Sequence, residues 1–294
     1  MIYYSHKILT EQVIIMDSKF LPPQEIASFT VNIGVRKANL SIVNQFVLGV
    51  LAGAFIAFGA QASNMAAHSC ADPVMGKLLG GLIFPAGLML VIMAGGELFT
   101  GNCLMVVSLA ERKISLVQLL RSWVVVYLGN LAGGVLAALL VWWSGQLNFS
   151  GGLLGGFTVK AAAGKIALTF TQAFVLGVLC NWLVCLAVWM SFGAKDGVSK
   201  AVCVFFPVWV FVASGFEHSV ANMFYIPAGL LAKCEGLYVS KAIELGVSHG
   251  AIDSLSWGAM FVRNLLPVTL GNILGGAGLV GCVYWFTYLK GRQS

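Results

Sequence analysis

Apolar runs long enough to cross a bilayer recur six times along this chain, near residues 42–67, 78–108, 117–143, 166–192, 201–232 and 261–289. A helix needs about 20 apolar residues to traverse the hydrocarbon core. Inside lipid, only a helix or a closed barrel satisfies its own backbone polar groups. The runs therefore predict an all-α membrane protein with six transmembrane helices. Charge content points the same way: 10% Asp, Glu, Lys and Arg, against roughly 25% in a soluble domain, could not cover a water-facing surface. A secreted domain, a nucleic-acid binder and a disordered tail are excluded. The net charge of +6 then bears on sidedness and not on nucleic acid.

The second and fifth runs exceed a single crossing and are interrupted by polar residues, at Glu97-Leu98-Phe99-Thr100-Gly101-Asn102 and at Ser214-Gly215-Phe216-Glu217-His218-Ser219. The string FVLGVL stands at 46–51 and again at 174–179, opening the first and fourth spans. Arg121 precedes LGNLAGG (128–134) by the same interval that separates Arg263 from LGNILGG (270–276), in the third and sixth spans. Two matches in corresponding positions argue for duplication. Three spans per copy is an odd number, so the copies cross in opposite senses, the inverted-repeat plan in which the working site lies where the broken spans meet.

With the N-terminus inside, 11 of the 17 basic residues fall on the cytoplasmic side, which favours both termini cytoplasmic. The expected organisation is a cytoplasmic N-terminal segment 1–41, a six-span channel domain 42–290 and a cytoplasmic tail 291–294. Residues 1–41 lack a cleavable signal pattern, and Met16 opens an alternative start. Residues 16–41 are expected to form a helix against a neighbouring protomer or the pore mouth. Of the seven cysteines, those within the apolar runs read as small core residues, while Cys70 and Cys234 fall in connecting segments.

Glu97 and Glu217 are the only acidic residues inside the runs, and His218 is the only histidine there. Ionisable groups at membrane depth are costly and mark functional positions. The glutamates fit a structural role, accepting hydrogen bonds from the broken helices beside them. His218 fits a functional one, because a neutral imidazole can donate through one nitrogen while its other nitrogen is held by a neighbour. Each break also frees a half-helix N-terminus that suits an anion, and no run of carboxylates marks a metal-cation pore. Lys165, in the string AAAGKIAL, stands at the mouth of the fourth span, placed either to draw anions into a vestibule or to snorkel. Phe84, Leu88, Phe99 and Phe211 lie near the breaks, and hydrophobic rings without charge would pass small, nearly neutral solutes. Neither break contains the Asn-Pro-Ala triplet of a water channel. HExxH, GxSxG and clustered histidines are all missing, so no enzyme, metal site or cofactor is expected.

The strings GGELFTGN (95–102), CNWLVCLAVWMSF (180–192), FVASGFEHSVANM (211–223), IPAG (226–229) and LPVTLGN (266–272) resemble the formate/nitrite transporter family. The resemblance spans roughly residues 40–290. It implies an aquaporin-like fold without aquaporin sequence, a homopentamer with one pore per protomer, and a multi-pass protein of a bacterial plasma membrane. The substrates it implies are small monovalent weak-acid anions, with formate expected first, nitrite or hydrosulfide as the alternative, and an aquaporin-like neutral-solute channel as a distant one. Protons and membrane lipid would be the other partners, nucleic acid none. Residue by residue, it makes His218 the central pore histidine, Thr100 the break-loop threonine and Lys165 the vestibule lysine. Phe84, Leu88, Phe99 and Phe211 become constriction residues. Glu217, Asn181 and Asn272 are pore supports, joined by Glu97 and Asn102 from the first break. The Gly101-Asn102 pair after Thr100 is similar to hydrosulfide- and nitrite-type relatives, whereas 183–192 and Phe211–Pro227 read closer to the formate type. Coupling to protons is expected, His218 either protonating the solute or only orienting it.

Overall fold

The computed structural model describes residues 20–291. The expectations for Met16 and the residues before it, and for the tail beyond residue 291, lie outside the described residues. The described chain is helical, with one isolated bridge between Phe20 and Ala194 in place of a sheet.

A short helix, α1 (Pro23–Ala38), leads into the first span, α2 (Ile42–Ala67). The second span is divided into α3 (Pro73–Gly95) and α4 (Phe99–Ala110), and the third is α5 (Leu116–Trp143). A second short helix, α6 (Leu153–Ile166), precedes the fourth span, α7 (Phe170–Gly193). The fifth span is divided into α8 (Gly197–Ala213) and α9 (Ser219–Ala232). After α10 (Gly236–Glu244) and α11 (His249–Ser254), the sixth span is α12 (Trp257–Tyr288), which contains wide π turns at Met260–Leu265 and Leu274–Cys282. Among the described residues, five helices are singly long and apolar enough to cross a membrane; the fifth span reaches that length only as the sum of two halves.

Polar caps fix the ends. The Ser41 hydroxyl accepts from the Asn44 N–H, and Ser115 and Thr169 each form a capping box with the glutamine three residues on. The Thr169 cap corrects one sequence boundary: the fourth span starts at Phe170, not 166, and Lys165 belongs to the last turn of α6. Hydropathy could not see this turn, because Ile166, Ala167 and Leu168 are themselves apolar.

The repeated strings turn out to be the two sides of one helix crossing. In the first copy, a Cβ on Gly133 of LGNLAGG would come within 2.0 Å of the Val50 carbonyl of FVLGVL; in the second, a Cβ on Gly275 would come within 2.2 Å of the Val178 carbonyl. Backbones this close admit only glycine, the small-residue packing that lipid-embedded helices depend on. Large apolar side chains such as Val117, Leu128, Phe206 and Leu266 face outward, while Asn130, Asn181, Asn222, Asn264 and Asn272 are buried at the centre. Three crossings separate α1 from α6, so these two short helices lie on opposite faces of the bilayer.

Candidate functional site

Both breaks are turned by a glycine with positive φ, Gly95 (96°) in the first and Gly215 (72°) in the second. Each turn frees backbone groups at a depth where lipid offers no partner, and one asparagine from the neighbouring span satisfies them. Asn130 on α5 accepts from the Phe99 N–H at 2.9 Å and donates to the Glu97 and Gly49 carbonyls at 2.9 and 2.8 Å. Asn272 on α12 accepts from the Ser219 N–H at 2.9 Å and donates to the Glu217 and Gly177 carbonyls at 3.0 and 2.8 Å. Sequence reasoning had Asn272 and missed Asn130, although the LGN strings mark both.

The carboxylates are tied in the same way. Glu97 accepts from Lys37 Nζ and from Asn102 Nδ2, both at 2.8 Å. Glu217 accepts from Lys165 Nζ at 2.9 Å and from Asn222 Nδ2 at 2.6 Å, and Asn264 bridges Asn222 to the Lys165 carbonyl. Lys165 also lies 5.0 Å from the centre of the Tyr225 ring, a cation–π contact. Its apolar sequence neighbours hid both partners. Lys37 is its counterpart in the first copy: the spacing that relates residue 46 to 174 also relates 37 to 165. Through Lys37, α1 closes against the first break within its own chain, with a small pocket between them bounded by Thr30, Gly34, Lys37, Gly101 and Phe192.

Between the breaks, His218 Nε2 and Thr100 Oγ1 stand 2.9 Å apart. His218 Nδ1 accepts from the Ala221 N–H at 3.1 Å, capping α9. An accepting Nδ1 carries no proton, so the neutral ring holds its proton on Nε2 and donates from there. Thr100 accepts, and its own hydroxyl proton is left to point elsewhere. The Thr100 carbonyl is held by Asn181 Nδ2 and by Cys185 Sγ, both at 3.2 Å, and Asn181 donates also to the Asn272 carbonyl at 2.7 Å. The Phe211 ring lies 6.0 Å from the His218 ring and meets Phe84 edge-on at 5.7 Å. Leu88 is buried in the same cluster. Phe99 packs instead against Tyr127 and Trp123, at 5.0 and 6.0 Å. Among the described residues, no group of three or more His, Cys, Asp or Glu could hold a metal ion. His68, met in sequence as a residue of a polar segment, is buried, with Nδ1 2.7 Å from the Met65 carbonyl and Nε2 2.9 Å from Ser150 Oγ, joining the end of α2 to the loop before α6.

Compared with known proteins, the chain matches the family model described as formate/nitrite transporter over residues 24–286. It belongs to that family. A probable formate transporter of Methanothermobacter thermautotrophicus is 39% identical over 94% of this chain and all of its own length. The formate channel FocA of Haemophilus influenzae is 40% identical, over 90% of this chain and 94% of that one. Among solved structures, a pentameric formate channel with formate bound superposes with a TM-score of 0.75 at 38% identity, covering 85% of this chain and 98% of that one. An ion channel of the same family gives a TM-score of 0.74 at 31% identity, over 90% and 98% of the two chains. As a formate/nitrite transporter the protein is a transmembrane anion channel and not an enzyme. Its fold is that family's, two inverted three-span copies with the second and fifth spans broken.

Proposed function

We propose that this protein is a formate channel that assembles as a homopentamer in a bacterial plasma membrane, with both termini cytoplasmic and one pore in each protomer. The observation that carries the reading is the Thr100–His218 pair. It offers an uncharged N–H and a hydroxyl beside Phe211, while each buried carboxylate is neutralised by a lysine. A bare anion would lose its hydration at Phe84, Leu88 and Phe211, and burying an unpaired charge is very costly. A weak acid avoids that cost by taking up a proton as the surrounding dielectric falls.

His218 orients the solute and does not protonate it. With Nδ1 engaged as the cap of α9, surrendering the Nε2 proton would leave an imidazolate unless the cap were broken first. The proton for coupled transport therefore comes from water in the mouth. Residues Asn181, Asn272, Glu97, Glu217 and Asn102 support the path without lining it. Asn102, whose presence after Thr100 favoured a nitrite or hydrosulfide channel, donates to Glu97 and takes an indole N–H from Trp123 on its carbonyl. Its counterpart Asn222 makes the same kind of contact with Glu217, so this residue speaks for the scaffold and not for the substrate.

Uptake of labelled formate, nitrite and hydrosulfide into proteoliposomes tests the reading. Formate is expected to pass fastest, faster as external pH falls; saturable nitrite or hydrosulfide flux with no formate flux would overturn it.

A further inference from the structure

The two lysines at the pore mouths are not free to attract an anion. Lys37 is held by Glu97 and Lys165 by Glu217, both partners of each pair largely shielded from solvent. An incoming anion meets two neutral ion pairs. Lys77 differs. It lies on α3, about one turn beyond the Asp72 cap, and is exposed. Its ammonium reaches the turn of the second break, 3.1 Å from where a Cβ on Gly215 would stand. Gly215 follows the last turn of α8, and the negative end of a helix dipole favours a cation. The Lys77 charge interacts with those of both Lys165 and Glu217, and no carboxylate among the described residues forms an ion pair with it. Lys77, Lys165 and Glu217 together leave one uncompensated positive charge at the mouth opposite α1.

We propose that Lys77 is the anion-capture residue of that mouth. It concentrates the hydrated monovalent anion against the second break, beside the neutralised Lys165–Glu217 pair and ahead of the Phe84–Phe211 rings. A lone positive charge over low-dielectric walls raises the local concentration of anions and the rate at which they enter. The role belongs to entry, so it governs flux at low substrate and not the passage of the solute beyond the rings. Lys77 could not be singled out in sequence, where it reads as one more flanking lysine.

This proposal rests on the reading of the protein as a channel for weak-acid anions. Its test is the initial rate of labelled formate uptake into vesicles in which the α1 face is turned inward, measured against formate concentration at low and high salt. Wild type, Lys77→Gln and Lys77→Arg are compared as the intact full-length assembly. In low salt, Lys77→Gln is expected to raise the half-saturating concentration about three- to tenfold, with maximal flux unchanged and most of the salt dependence gone, while Lys77→Arg behaves as wild type. A Lys77→Gln curve that overlays wild type overturns the proposal. So does a Lys77→Arg variant as impaired as Lys77→Gln, because the position would then need lysine's shape and not its charge. If wild type carries none of formate, nitrite and hydrosulfide, the channel reading itself fails and takes the capture role with it.

Discussion

The two broken spans share a scaffold and differ in chemistry. Asn130 and Asn272 stitch the breaks with matching sets of hydrogen bonds, and the Lys37–Glu97–Asn102 and Lys165–Glu217–Asn222 chains brace them, one in each copy. At the helix start the copies part. His218 caps α9 with its side chain, whereas Leu98, two residues before Thr100, begins α4 with no side-chain cap. The first break also follows a π turn at Val91–Gly95 that the second lacks. Duplication supplied a symmetric frame; the polar pair between the breaks draws Thr100 from one copy and His218 from the other.

If the frame is symmetric, damage to it should cost the same in either half. Glu97→Gln and Glu217→Gln each leave a partly buried lysine without its counter-charge, a loss of roughly 3–5 kcal/mol for a buried pair. Both are expected to lower the melting temperature of the detergent-solubilised protein similarly; a large effect in one half alone would break the equivalence. At least as large is the effect expected of Asn130→Leu and Asn272→Leu, each of which orphans one N–H and two carbonyls at about 1–3 kcal/mol per unsatisfied group. The same melting assay, with recovery of oligomer from size-exclusion chromatography, should again find the two alike.

The asymmetric position should behave in the opposite way. His218→Leu removes a helix cap worth about 0.5–2 kcal/mol together with the central donor, and formate flux is expected to collapse, whereas Leu98→Ala leaves it near wild type. His218→Asn keeps both a cap acceptor and a donor. Flux and its dependence on pH should survive this change; flux that persists but no longer responds to pH would mean that His218 itself supplies the proton. The smallest expected effect lies where the copies meet. The Tyr127 hydroxyl on α5 bonds Thr269 on α12 at 2.9 Å, and Tyr127→Phe should cost about 1 kcal/mol with flux unchanged. A marked change in flux would move this contact from the frame into the path.

Much of this was legible along the chain because hydropathy, polar interruption and self-similarity are local. The six spans, both breaks, the inverted copies and the residues Lys165, Glu217 and His218 stand out from the order of residues alone, since a bilayer permits a long apolar run one main solution; Thr100 was singled out only through the family resemblance. What a side chain faces was not legible. Lys165 looked like a lysine among small neighbours and is paired with Glu217; Lys37 looked like the end of a cytoplasmic segment and is paired with Glu97.

The sequence by itself thus determined that the chain is a helical membrane protein of two opposed halves with polar residues at its centre, because burying that much apolar surface leaves no soluble alternative. Only the tertiary structure decided which charges are neutralised and which nitrogen of His218 keeps the proton. It alone left Lys77 without an ion-pair partner among the carboxylates of the described residues. Each of these depends on groups brought together from different spans, across distances in the chain that no local pattern of hydrophobicity encodes.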